Sequence, residues 1–242
     1  MPPVPPGPAG MRMATAFDRL GWHWWPCDAA INTRAYGAGR GLCNNCGPCD
    51  PGCPRRARSS ADITYWPQAL AAGARLVAGA GVFEVETDPQ GRATGVAWYG
   101  RDGEVRRHPA AVVALAANGL GTARLLLSRW FPDGIANDTG LVGRRLMHHP
   151  TGLVTSRFAE PMAGHKGPFA VSILSQQFYE SDPARGFVRG YQMQRLRSDG
   201  PVGTACGGYL PRLPWGSAHH AAFRASFGHT ASLTVTTGDL AA

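Results

Sequence analysis

The sequence predicts a mixed α/β fold of the α+β kind, and three observations predict it. Residues 74–117 alternate apolar and polar side chains in runs broken by short turns, then pass through a glycine turn into a Leu-rich helical segment. From about residue 150, alternating segments separated by Gly and Pro read as antiparallel strands. The chain has 242 residues, 44% of them hydrophobic, with 32 Gly and 20 Pro, which is enough apolar material for a sizeable core in a loop-rich protein.

The elements follow in order. "MPPVPPGPAG" is a Pro-rich lead that reads as loop, because proline neither continues a helix nor donates to a sheet. Met13, Ala16, Phe17 and Leu20 then recur at helical spacing, and Gly21 suits a helix stop. "WHWWPCDAAINTRAYGAGRG" reads as extended chain and loop. "SSADITYWPQALAAGARL" reads as a helix capped by Ser59 or Ser60, kinked at Pro67 and ended at Gly73. "ARLVAGAGVFEVETD", "ATGVAWYG" and "VRRHPAAVVALAAN" supply three strands joined by the turns "PQGR" and "RDGE", the third carrying a buried run from Ala111 to Ala117. "GLGTARLLLSRWF" then opens a helix. An apolar strand entering a helix through a glycine turn is the layout in which a helix N-terminus faces a nucleotide. "TGLVTSRF", "FAVSILSQQFY", "RGFVRGYQMQRL" and "ASLTVTTG" are the later strands. Two domains are expected, 1–148 and 149–242, with the border near "GLVGRRLMHHP".

Four cysteines fall within eleven positions of "GLCNNCGPCDPGCPRR": Cys43, Cys46, Cys49 and Cys53, with Pro54 behind them. Their spacing is the C-x2-C-x2-C-x3-C-P of bacterial ferredoxins, and the small residues between them let a backbone wrap around an iron–sulfur cluster. A ferredoxin carries the motif twice and is far shorter. Zinc is a second reading, although structural zinc sites come mostly as two separated cysteine pairs. A tight turn with small buried cysteines and no metal is a third. Six cysteines in 242 residues are too sparse for a disulfide scaffold.

Charge and hydropathy exclude other classes. The formal charge is +8, but the arginines are scattered rather than gathered on one element with interleaved aromatics, which argues against nucleic acid. No segment approaches the ~18 consecutive apolar residues of a membrane span. The N-terminus lacks the basic start and long apolar run of a secretory signal. His219, His220 and His229 read as loop or surface histidines before a metal set, because adjacent histidines point apart. The "WHWWP" aromatics read as packing before a quinone platform. Arg144 and Arg145 read as a solvated face, and Asp239 as part of a frayed end.

"CNNCGPCDPGCPRRARSSADITYWPQALAAGARL" resembles a signature of the glucose–methanol–choline (GMC) oxidoreductases, in which C-G-x-C-x-x-G-C-P-x-G-A-K-x-S precedes a helix ending in glycine. "VVALAANGLGTARLLLSRWFPDGIANDTGLVGRRLMHHP" resembles a second one: a buried strand enters an Ala/Gly turn, Thr122 opens a Leu-rich helix, and a VGR-x-L-M-x-H segment follows. The likeness covers most of residues 15–240. It is strongest to bacterial flavoprotein dehydrogenases of the gluconate, sorbitol and fructose type, which are often periplasmic or membrane-associated.

The resemblance implies FAD-dependent oxidation of a CH–OH group of an alcohol, polyol or sugar. It places Ala116, Ala117, Asn118 and Gly119 against the FAD adenosine or pyrophosphate, Thr122 at the helix mouth, and the backbone of Val82 and Phe83 against the adenine. It also implies a haem or quinone acceptor subunit as partner, and a three-iron or four-iron cluster on the cysteines, with Cys43, Cys49 and Cys53 forming the three-iron subset. Several departures stand beside these matches. No G-x-G-x-x-G opens the chain, and the family's catalytic histidine falls beyond residue 242, so no catalytic residue is assigned and an internal piece of a longer enzyme is expected. His148 and His149 belong to the internal segment and read as packing. Arg56 stands where the family has Gly, and Ala123 where it has Pro. A cluster-only electron carrier and an inactive remnant are the alternatives.

Overall fold

The structure, a computed structural model, describes all residues except 38, 50, 129, 130, 132, 169–171, 210–212 and 239–242. Two compact units emerge. One comprises Met1–Gln68 and the described residues from His149 onward; the other is Ala69–His148. Residues 1–68, which the sequence reading grouped with the stretch up to 148, thus cluster with the C-terminal sheet.

In the first unit, helix α1 (Gly7–Leu20) starts earlier than the sequence suggests. Pro8 sits in its first turn, where no amide is needed, so the Pro-rich lead launches the helix instead of excluding it. Gly21 closes it in the left-handed region at φ 69°. Its buried face is Ala9, Gly10, Ala14 and Phe17, while Ala16 and Leu20 are exposed. The sheet partner is built from β4 (Thr151–Arg157), β5 (Leu174–Phe178), β6 (Tyr191–Leu196) and β7 (Thr230–Thr237), in the antiparallel order β4-β7-β6-β5. Ala14 and Phe17 pack with Ile173 and Met193, and Trp22, Trp24, Phe178, Tyr191, Leu233 and Val235 close around them. Trp22 meets Phe178 edge-on at 5.0 Å, and the Trp24 indole donates to Asp18 at 2.7 Å, so these two aromatics of "WHWWP" are packing.

Two short helices, α4 (Pro201–Cys206) and α5 (Ser217–Ser226), lie between β6 and β7 and were not read from the sequence. Helix α2 (Tyr65–Ala71) is shorter than expected. It starts two residues before Pro67, which therefore occupies the first turn and makes no kink. The preceding residues 61–64 form turns, closed by Thr64 and Tyr65 amides donating to Ser60 and Ala61.

The second unit is a three-stranded antiparallel meander, β1 (Gly81–Thr87), β2 (Ala93–Tyr99) and β3 (Val105–Pro109), followed by helix α3 (Asn118–Leu126). The turn residues act as their composition suggests: the Asp88 carboxylate accepts from the Gln90 and Arg92 amides at 3.0 and 2.9 Å. Two expectations fail here. The stretch before Gly81 is not strand, and the third strand ends at Pro109 instead of carrying a buried run to Ala117. Proline has no N–H for the ladder, and no described strand lies beyond β3. Residues 111–117 are irregular and mostly exposed, Val112 at 83%. The mixed α/β class with antiparallel sheets stands.

Candidate functional site

The residues read as flavin contacts all lie in the second unit, on β1, on α3 and in the two residues before α3, and β1 and α3 pack against one another. Asn118 adopts φ 64°, a left-handed turn that Asn tolerates better than most residues, and α3 begins there rather than at Thr122. Thr122 is therefore one turn inside the helix, not at its mouth. Ala117 at the cap supplies no side-chain bond, and the first turn holds no acidic residue. Gly119 donates its amide to the Asn118 side chain. Ala116, Ala117, Asn118 and Gly119 are exposed. On β1 the register slips between Val82 and Glu84, so Phe83 is an extra residue outside the pairing with β2. Its ring lies 4.4 Å from Tyr99, and Val82 is 40% exposed. A helix start whose cap residue offers no acceptor and an unpaired strand residue are the features that backbone recognition of a nucleotide would use.

The cysteine loop belongs to the first unit. Cys43 is held by its amide to the Asn32 carbonyl at 2.9 Å, and the Arg58 guanidinium donates to the Cys49 carbonyl at 2.8 Å. Gly47 needs its lack of a side chain: at φ 105° a Cβ there would meet the His165 carbonyl at 2.5 Å. Arg56, standing where glycine was expected, adopts φ 52°, so the turn keeps a glycine-like backbone. All four cysteines line one narrow crevice of about 10 Å³, room for about one water, with Cys46 exposed. Burial pushes the Cys49 thiol up, and the neighbouring Cys43, Cys46 and Cys53 add to that. Burial works to raise Cys53 as well, but the backbone amides of Arg58, Ala57, Arg55 and Arg56 pull it below the ordinary thiol value. All six cysteines are free, and among the described residues no three of His, Cys, Asp or Glu form a group able to hold a metal ion.

One feature escaped the sequence reading. A cavity of about 830 Å³ in the first unit is lined by Asn32, Thr33, Tyr36, Arg40, Ser59 and Tyr65, among others. Asn32 is 3% exposed, and its Nδ2 has no hydrogen-bond partner. Arg40 is occupied by the Arg56 and Ala57 carbonyls and the Ser59 hydroxyl. His219 and His220 stand on α5 with rings 6.1 Å apart, and the His229 ring bonds the Phe158 carbonyl at 3.3 Å, so the three form no described metal group. Arg144 and Arg145 are exposed; Asp239 lies outside the described residues.

The GMC oxidoreductase family description matches residues 15–151, more than half of the chain. The chain belongs to the GMC oxidoreductases, a family of FAD-dependent enzymes. It is 42% identical over 234 residues to 2-methyl-1,2-propanediol dehydrogenase of Mycolicibacterium austroafricanum, covering 94% of this chain and 42% of that protein. It is 32% identical to the fructose dehydrogenase large subunit of Gluconobacter japonicus, covering 72% of this chain and 32% of the relative. Paromamine 6'-oxidase of Streptomyces fradiae is 29% identical over 76% of this chain and 36% of its own length. The chain thus spans less than half the length of these relatives. No described helix is long and apolar enough to cross a membrane.

Proposed function

We propose that this chain is the part of an FAD-dependent alcohol or sugar dehydrogenase that cradles the adenosine and pyrophosphate side of the flavin. Residues 1–148 would contribute to the FAD-binding domain and 149–242 to the substrate domain. The start of α3 carries the reading: the cap residue Ala117 offers no side-chain acceptor, only the Gly119 amide is answered, by the Asn118 side chain, no acidic residue stands in the first turn, and residues 116–119 are exposed. The remaining amides of that turn would donate to the pyrophosphate, with the helix dipole adding attraction. Thr122 stands one turn deeper, and the backbone of Val82 and of the bulged Phe83 would contact the adenine. Bound FAD supplies a hydride acceptor for oxidation of a CH–OH carbon. A polyol, diol or sugar substrate is supported by the names of the relatives, one a diol dehydrogenase and one a fructose dehydrogenase.

For the cysteine loop the proposal is an iron–sulfur cluster on Cys43, Cys49 and Cys53, with Cys46 spare, passing electrons to a haem or quinone subunit. It rests on the spacing and on the four cysteines lining one narrow crevice; because no three of them stand as a metal-holding group, the loop backbone must shift to admit iron. A broad, bleachable absorption shoulder after anaerobic purification is the expected sign, and a preparation that takes up no iron sinks it.

Ala117→Asp tests the flavin site. An aspartate at the cap would accept from the Leu120 amide, Gly119 already being bonded to Asn118, and should stabilise α3 by about 1 kcal/mol. Because it puts a negative charge where the pyrophosphate would lie, FAD affinity, read by quenching of flavin fluorescence, should fall about tenfold or more. A stabilised helix with unchanged FAD affinity would remove α3 as the phosphate end.

A further inference from the structure

Helix α1 begins without a capping side chain, with Pro6 at the cap and no acidic residue in its first turn. Fourteen residues of aligned peptide dipoles leave positive potential at that end. Pro6, Gly7 and Pro8 line a cavity of about 50 Å³ whose other walls include Asn45, Lys166, Ser172 and Arg195. None of its lining residues is acidic.

Arg195 is 2% exposed. Its guanidinium donates to the Gly164 carbonyl at 2.5 Å and the Lys166 carbonyl at 3.3 Å, but its Nε has no partner. No described carboxylate pairs with it. Burial and the nearby Arg197 draw it down to about 10, so it keeps its charge at neutral pH. Ser172, 1% exposed, has an unpartnered Oγ, and the buried Asn45 Oδ1 is unpartnered as well. Side chains around two glycines locate these groups. A Cβ on Gly10 of α1 would lie 3.1 Å from Ser172 Oγ, and one on Gly167 would lie 3.0 Å from Asn45 Oδ1 and 3.5 Å from Arg195 Nη1. An uncompensated buried guanidinium and an orphaned hydroxyl each cost stability unless something answers them.

We propose that this cavity binds a small inorganic anion of halide size, held by Arg195 Nε and Ser172 Oγ beside the positive end of the α1 dipole, where the Ala9 amide is taken by the Met162 carbonyl at 3.1 Å and Pro8 has none. The volume sets the class: about 50 Å³ has room for a small ion together with water and is far too small for a nucleotide. The water would donate one hydrogen to the ion and the other to Asn45 Oδ1, which answers the third orphan. Asn45 lies between Cys43 and Cys46, so the ion ties the cysteine loop to β6. The site is independent of the flavin reading.

The test is thermal melting of the full chain in rising sodium chloride or bromide, with sodium gluconate holding ionic strength fixed. The midpoint should climb with halide, rising with the logarithm of its concentration once that exceeds the dissociation constant. Ser172→Ala should need about tenfold more halide for the same rise, and Arg195→Met should lose the dependence. Should Arg195→Met fail to fold, Ser172→Ala decides. Bromide-soaked crystals should give an anomalous peak within hydrogen-bond distance of Arg195 Nε. A midpoint that responds to halide no more than to gluconate, or a cavity that holds water only, overturns the site.

Discussion

The two units reach order by different routes. Unit one joins α1 to β6 and β7, elements nearly two hundred positions apart, around Ile173, Phe17 and Met193. Among the described residues of 69–148, only Val85, Ala97 and Leu125 are buried apolar side chains. That unit is held by neighbouring strands pairing through local turns, with β3 exposed along its length. Core burial from long-range contacts resists opening, whereas hairpin pairing with little core opens at lower cost. The difference also separates the two candidate sites, the cysteine loop resting on the packed unit and the α3 turn standing on the open one.

The largest expected effect breaks this comparison if it fails. Ile173→Ala removes a fully buried side chain from the α1–sheet cluster and should cost about 3–4 kcal/mol. Hydrogen exchange should then quicken at the β5, β6 and β7 amides and stay unchanged at β1 and β2. Equal acceleration in both sets would show that the units open together.

Legibility follows the same division. The turns at Asp88 and Asp102 were readable because each carboxylate accepts from backbone amides two residues on, a purely local device. The four later strands were readable from alternation, although the residues 169–171 expected within the second of them lie outside the described set. Helix α5 was not, because it buries only Ser226 and so shows no apolar stripe. The run from Ala111 to Ala117 misled, since apolarity reports what a segment would bury and not whether a neighbour exists to cover it. At the sites, the Asn118 turn and the cysteine spacing are sequence features. The orphaned atoms of Asn32 and Arg195 belong to their surroundings and leave no sequence mark.

Those orphans sharpen the contrast, since a polar atom is orphaned only where there is a core to bury it. Of the seven such atoms among the described residues, all but Ser128 Oγ lie in unit one. Asn32→Leu keeps the shape and removes the unanswered amide, so it should raise stability by about 1 kcal/mol in a denaturant melt. A loss of that size would mean that the amide has a partner in solution.

The smallest effect concerns the open unit. Val112 is 83% exposed in an irregular stretch, with neighbours Ala111 and Ala114 exposed as well. Val112→Ser should therefore change the unfolding free energy by less than about 0.5 kcal/mol, the range of surface substitutions that touch no special feature. Colloidal behaviour should change more than stability, because contiguous exposed apolar residues beside an unpaired strand edge invite association between chains. Light scattering during slow heating should rise later in the variant than in the parent at the same midpoint. A stability loss above 1 kcal/mol would instead show that Val112 is covered in solution, and the exposed character of this unit would have to be abandoned.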